Sequence, residues 1–200
     1  VALSPFVSEV AVLAGARVKT VKERTKMTVS SDSIGAIVNC NGTGIHRGIN
    51  NLNSSQSICY HYESFSSNPP NILSRSIIDE PLETGIRAID GILTIGKGQR
   101  LGIFAEPGVG KSTLIATIAN NAKVDLNVIG LIGERGREVI ELYECGLSEK
   151  ARQNTIIVAS TSDEPAIARL TAAFTATRIA EYFRDQGLNV LLQIDSLTRL

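Results

Sequence analysis

An α/β fold built on a mostly parallel sheet is what this sequence predicts, and three observations carry the prediction. From Leu73 onward, short apolar runs of strand length alternate with stretches of helical periodicity. That alternation implies parallel strands with helices on both faces. One junction, Arg100–Ile115, reads as a strand, a glycine-containing turn and the start of a helix. Each apolar run also ends in polar or reactive residues, the place where ligands bind in such sheets.

Residues 1–50 have strand character. Val7–Val12, Ala16–Val21 and Ile34–Val38 are short β-branched stretches separated by Gly15, the charged run Lys22–Lys26 and Ser30–Ser33. They predict a small strand-rich piece. Residues 51–72 are rich in Asn, Ser and Pro and close with Pro69-Pro70, which is linker chemistry. His46 and His61 fall in or beside this stretch with no further His or Cys at ligand spacing, and read as exposed loop histidines.

Residues 73–200 form the α/β part. Strands are expected at Arg100–Ala105, Leu126–Ile132, Thr155–Ser160 and Asn189–Ile194. Helices are expected from Lys111, near Gly136–Cys145 and over about Pro165–Gln186. In the last, Pro165 suits the first turn, acidic Asp163 and Glu164 sit at its positive end, and Gly187 is a natural stop. Ile167, Leu170, Phe174, Ile179 and Phe183 make the expected core-facing stripe.

Composition narrows the function classes. Lys+Arg and Asp+Glu number 20 each, so no net charge draws the chain to nucleic acid or anionic lipid. No apolar run approaches the ~18–20 residues of a membrane-spanning helix, and the N-terminus lacks the basic flank and apolar core of a signal peptide. Cys40, Cys59 and Cys145 are odd in number and widely spaced, which predicts reduced thiols in a cytoplasmic chain. A chain that starts at Val1 and stops at Leu200, directly after a strand-end motif, predicts a fragment.

The Arg100–Ile115 junction has the layout of a phosphate-binding P-loop, with Ala105 where the pattern G-x-x-x-x-G-K-[ST] begins with Gly. Gly108 and Gly110 let the backbone curl so that amides up to Thr113 meet an anion at a helix N-terminus. The nucleotide-binding loop is therefore expected over Glu106, Pro107, Gly108, Val109, Gly110, Lys111, Ser112 and Thr113. Lys111 supplies a charge for the β- and γ-phosphates of ATP, and the Ser112 hydroxyl can ligate Mg²⁺.

Two further strand ends complete the expected site. Val190–Asp195 reads as a Walker B strand, interrupted by Gln193, whose terminal Asp195 holds the Mg²⁺ shell. Asp195 as a simple turn cap is the competing reading. The second strand runs into Gly133–Glu138, where Glu134 is the best candidate for positioning the attacking water. Arg135 and Arg137 can steady phosphate charge, and Glu138 can reach Mg²⁺-bound water. A solvated charge cluster capping a helix is the alternative there.

Pro81–Phe104, Ile129–Glu138, Ile179–Gly187 and Asp195–Arg199 closely resemble the type III protein secretion ATPases, which include the flagellar export and injectisome enzymes. That family is similar to the catalytic subunit of rotary ATP synthases. The resemblance is strong over Leu73–Leu200 and looser over Gly15–Ile49, which looks like the end of the family's N-terminal β-barrel. It implies a RecA-like P-loop NTPase core, cut after Walker B and preceded by a partial barrel segment. It further implies that Lys111 and Ser112 bind phosphate and Mg²⁺, that Glu134 is the catalytic carboxylate, Arg135 a phosphate-side contact and Asp195 the Walker B acid.

The implied activity is ATP hydrolysis coupled to unfolding and export of proteins. The implied setting is a cytoplasmic homohexamer, peripheral at the inner face of the membrane export gate, with stalk or stator proteins, secretion substrates and chaperones as partners. The family's trans-acting arginine and adenine contacts lie beyond Leu200. The alternatives are a rotary ATP synthase-type subunit and a non-catalytic remnant. A hexameric RNA translocase would call for a basic, aromatic N-terminal module, whereas aromatic residues total only four Tyr and five Phe. No nucleic-acid partner is therefore expected.

Overall fold

The computed structural model describes residues 26–47, 57–61, 75–106 and 108–199, with isolated positions at 15, 17, 71 and 73. The expected strands Val7–Val12 and Ala16–Val21, most of the linker, and Pro107 lie outside these residues.

A five-stranded sheet forms the centre. Its strands are β2 (Ala36–Val38), β3 (Gly44–Arg47), β7 (Leu126–Glu134), β8 (Thr155–Thr161) and β9 (Val190–Asp195), in the order β3-β2-β8-β7-β9. β2, β8, β7 and β9 are parallel, and β3 returns antiparallel to β2. Two-stranded ribbons lie outside it: β1 (Lys26–Ser30) with β4 (Ser57–His61), and β5 (Pro81–Leu82) with β6 (Ile95–Gly96).

β7 is buried along its whole length, and its side chains alternate between two cores. Val128 and Ile132 face α4 (Ala166–Asp185), together with Ile156, Val158, Met27 and Val29. Ile129 and Leu131 face the other side, where α1 (Lys111–Asn121), α2 (Gly136–Glu141), the π-helical turn Leu142–Gly146 and α3 (Glu149–Gln153) pack over Ile115, Val139, Tyr143 and Leu147.

α4 buries a different stripe from the one its large residues suggest. Ile179 and Phe183 are buried, but Leu170 and Phe174 are 40% and 41% exposed and Ile167 is only partly covered. The other buried positions are Ala168, Thr171, Ala172, Ala173, Thr175, Ala176 and Ala180. Small side chains let the helix lie close on the sheet. A Cβ on Gly130 of β7 would come within 3.3 Å of Ala176 Cβ, tighter than ordinary packing.

Three other expectations change. Residues 101–106 form no strand, and Leu101, Ile103 and Phe104 are exposed, Phe104 by 97%. Among the described residues β9 is the edge of the sheet, and this apolar segment does not pair with it. Residues 36–47, assigned by sequence to the N-terminal piece, run in the central sheet, with Ile37 opposite Ile157. Residues 57–61, inside the expected linker, form a strand because β1 needs a backbone partner, and Lys26 pairs with His61. Both histidines are therefore on strands. The His46 ring meets Tyr143 edge-on, with centroids 5.5 Å apart.

Candidate functional site

Parallel pairing brings the carboxyl ends of β7 and β9 together. Asp195, the last residue of β9, lies opposite Leu131, and a bulge between Ile132 and Glu134 turns the end of β7. α1 starts beside them. Its N-cap, Gly110, has φ 99°, and Gly108 has φ 83°; no atom lies within 4 Å of a Cβ built on either. The glycines are therefore needed for left-handed backbone rather than for close packing. Their turn leaves the first amides of α1 at the site, with the macrodipole behind them.

A cavity of about 450 Å³ lies between α1 and the helical run 136–146. It gathers Ser112, Thr113, Glu134, Glu138 and Asp195 from three separate sequence segments. Lys111 Nζ is ion-paired with Asp195 Oδ1, and Asp195 is almost wholly buried. Ser112 and Asp195 are hard oxygen donors on one cavity, a set that suits Mg²⁺. Glu138 lines the same space.

Glu134 is 8% exposed and carries a displaced pKa, pushed up to about 7. Burial is the main cause, followed by a hydrogen bond with Glu138 and the negative charges of Asp195 and Glu138, against the opposing Arg199 guanidinium. Glu138 is correspondingly held below the usual carboxylate range, first by that hydrogen bond.

Other expected residues do not line the cavity. Glu106 and Val109 are exposed and line no part of the cavity. Arg135 is 81% exposed at its side chain and pairs with Glu138 at 3.4 Å. Arg137 is exposed as well. Sequence reasoning missed Arg199. Its Nη1 lies 3.1 Å from Glu134 Oε2 and also donates to the Gly133 carbonyl. The signal was present in Asp195–Arg199, where the chain turns directly after the Walker B strand, but only Asp195 received a role.

Comparison with known proteins shows the family. The model of the ATP synthase alpha/beta family, nucleotide-binding domain, matches residues 85–200. The chain is 42% identical over 203 residues to the flagellum-specific ATP synthase of Bacillus subtilis, covering 99% of this chain and 44% of that protein. It is 44% identical over 197 residues to the SPI-2 type 3 secretion system ATPase of Salmonella typhimurium, covering 98% of this chain and 44% of that one. The solved structure of the assembled ATPase EscN, from the enteropathogenic E. coli type III secretion system, superposes with a TM-score of 0.81 at 43% identity. That superposition covers 94% of this chain and 45% of EscN. A second EscN structure, in complex with its central stalk EscO, gives a TM-score of 0.77 at 47% identity over 88% of this chain and 42% of that one. The chain thus spans less than half the length of these relatives. With a left-handed glycine turn opening α1, Glu134 ending β7, Asp195 ending β9 and a family match over more than half its residues, the chain belongs to the ATP synthase alpha/beta family and carries sequence of its nucleotide-binding domain.

Proposed function

We propose that this chain is the nucleotide-handling part of an ATP-hydrolysing motor subunit of a type III secretion apparatus, injectisome or flagellar, which couples hydrolysis to unfolding and export of proteins. The observation that carries this reading is the one cavity shared by Ser112, Glu134, Glu138 and Asp195. Names of the similar proteins support the apparatus.

Hydrolysis of ATP needs a phosphate cradle, spread positive charge and a water held in line with the γ-phosphate. The amides from Gly108 to Thr113 supply the cradle. Lys111, exchanging Asp195 for phosphate, supplies mobile charge, and Arg135 steadies the phosphate side. Glu134 accepts a hydrogen bond from the attacking water once its own proton has left, and so aims that water. Ser112 and Asp195, with Glu138 through water, would hold Mg²⁺, which when bound neutralises charge on the β- and γ-phosphates.

The assembly proposed is a homohexamer in the cytoplasm, peripheral at the inner face of the membrane export gate, with nucleotide sites between subunits. Stalk and stator proteins, substrates and chaperones are its partners. The assembled form of EscN and its complex with the central stalk EscO support this reading. No helix among the described residues is long and apolar enough to cross a membrane.

The test is Mg·ATP binding and phosphate release by the intact protein and by Asp195→Asn. Turnover should need Mg²⁺ and rise with protein concentration as hexamers form, and Asp195→Asn should lower it and weaken the Mg²⁺ dependence of binding. A protein that binds no nucleotide overturns the reading.

A further inference from the structure

The cavity has a closed end. Its two helical walls, α1 and the run 136–146, meet at Gly146, where a Cβ would lie 3.4 Å from Ala116 Cβ and 3.1 Å from Leu142 Cδ1. Asn120, in the last turn of α1, grips both sides of the turn that follows. Its Nδ2 donates to the Gly146 carbonyl at 2.8 Å, and its Oδ1 accepts the Ser148 amide at 2.8 Å. One residue earlier, the Ala119 carbonyl accepts Asn127 Nδ2 from β7 at 3.1 Å. The end of α1 is therefore tied both to the helical run and to the strand that carries Glu134.

The reacting groups sit at the other, open end. Ser112 begins one wall, while Glu134 and Glu138 begin the other. Between residues 112 and 120, α1 runs about 12 Å at the usual rise per residue. The angle at the pinned end therefore fixes the gap at the open end.

We infer that Asn120 is a positioning residue for hydrolysis: by pinning α1 to the 146–148 turn, it sets the spacing between the phosphate loop and the carboxylates Glu134 and Glu138. The inference rests on the ATPase reading above. Asn120 touches none of the reacting groups, so its effect belongs in turnover and not in nucleotide affinity. A misplacement of about 1 Å near a reacting centre costs on the order of 10²-fold in rate.

Three variants of the intact protein test this. Asn120→Ala removes both hydrogen bonds. Asn120→Asp keeps the acceptor for Ser148 but turns a second acceptor on the Gly146 carbonyl. Gly146→Ala leaves Asn120 in place and wedges the walls apart. Each should lower kcat roughly tenfold or more, with the Kd for Mg·ATP within about twofold of wild type. Amide hydrogen exchange at Ser148 should quicken in Asn120→Ala, which reads the clamp without turnover. Variants that melt lower yet keep wild-type kcat would show Asn120 to be a packing contact only. A loss confined to Kd overturns the inference equally. A wild type with no turnover removes the ATPase reading, and the inference with it; the wild-type control alone tells that failure from the other.

Discussion

Lys111 at the start of α1 and Asp195 at the end of β9 form an ion pair across 84 positions of sequence. The pair joins the residue expected on phosphate to the residue expected on Mg²⁺. Mg·ATP must exchange it for two contacts of its own, so each partner's removal has a different signature.

Lys111→Ala should weaken Mg·ATP binding at least tenfold, about 1.4 kcal/mol, by titration calorimetry. It should also lower the melting temperature, because Asp195 is left buried without its cation. The stability loss should fall below the ~3–5 kcal/mol of a fully buried pair, since Lys111 is 32% exposed at its side chain. The double variant with Asp195→Asn should recover the melting temperature but not the affinity. Unchanged affinity in Lys111→Ala would remove the phosphate-loop assignment.

Glu134→Gln keeps shape and removes charge. Turnover in the intact protein should fall by roughly 10²–10⁴, the usual range for a positioned acid–base group. ATP affinity should hold or tighten, because a negative charge near the γ-phosphate is gone. Wild-type turnover in this variant would make Glu134 a capping charge.

The raised pKa of Glu134 gives a pH dependence with a definite sign. As a base it works only when deprotonated, so kcat/KM for ATP should rise through an inflection near pH 7. Glu138→Gln removes a hydrogen bond and a like charge that raise this pKa, and should move the inflection down. Arg199→Ala removes the group that lowers it, and should move the inflection up. Inflections that do not separate between the two variants would disconnect Glu134 from the titration. Stability follows the same linkage. The fold holds the Glu134 proton more tightly than the unfolded chain, so that contribution is full below the ordinary value of 4.5 and lost as pH rises to about 7. Glu138 runs the other way, its contribution lost as pH falls through its lowered pKa.

The phase of α4 can be checked by two truncations. Ile179→Ala, at a buried position, should cost about 2–5 kcal/mol. Leu170→Ala, at a half-exposed one, should cost less than half as much. Equal costs in thermal unfolding would restore the stripe of large residues as the buried face.

Glu134 and Asp195 were legible in sequence because each ends a run of strand length, and parallel strands gather such ends on one edge. Glycine spacing made the phosphate loop readable for the same local reason. Arg199 was harder to see, since its partners Gly133 and Glu134 lie on another strand. The stripe of α4 misled because hydrophobicity was read by size, whereas the sheet surface at Gly130 selects small side chains. The Arg100–Ala105 run has the composition of a strand, but a strand exists only where its backbone pairs, and this run pairs with no strand among the described residues. Likewise, Ile34–Val38 was recognisably strand-like, yet only long-range pairing shows that 36–38 joins the central sheet.

That pairing has a consequence for synthesis. Ile37 on β2 is in register with Ile157 on β8, so the ribosome must add 157 − 37 = 120 residues before the partner exists. At ~5–20 residues per second the delay is on the order of ten seconds. Through that interval Ala36, Ile37 and Val38, all buried in the finished sheet, lack the β8 strand that completes their ladder. An unpaired apolar edge of this kind is where nascent chains misassociate, so the yield of folded protein should depend on elongation rate and on chaperones that hold the emerging chain.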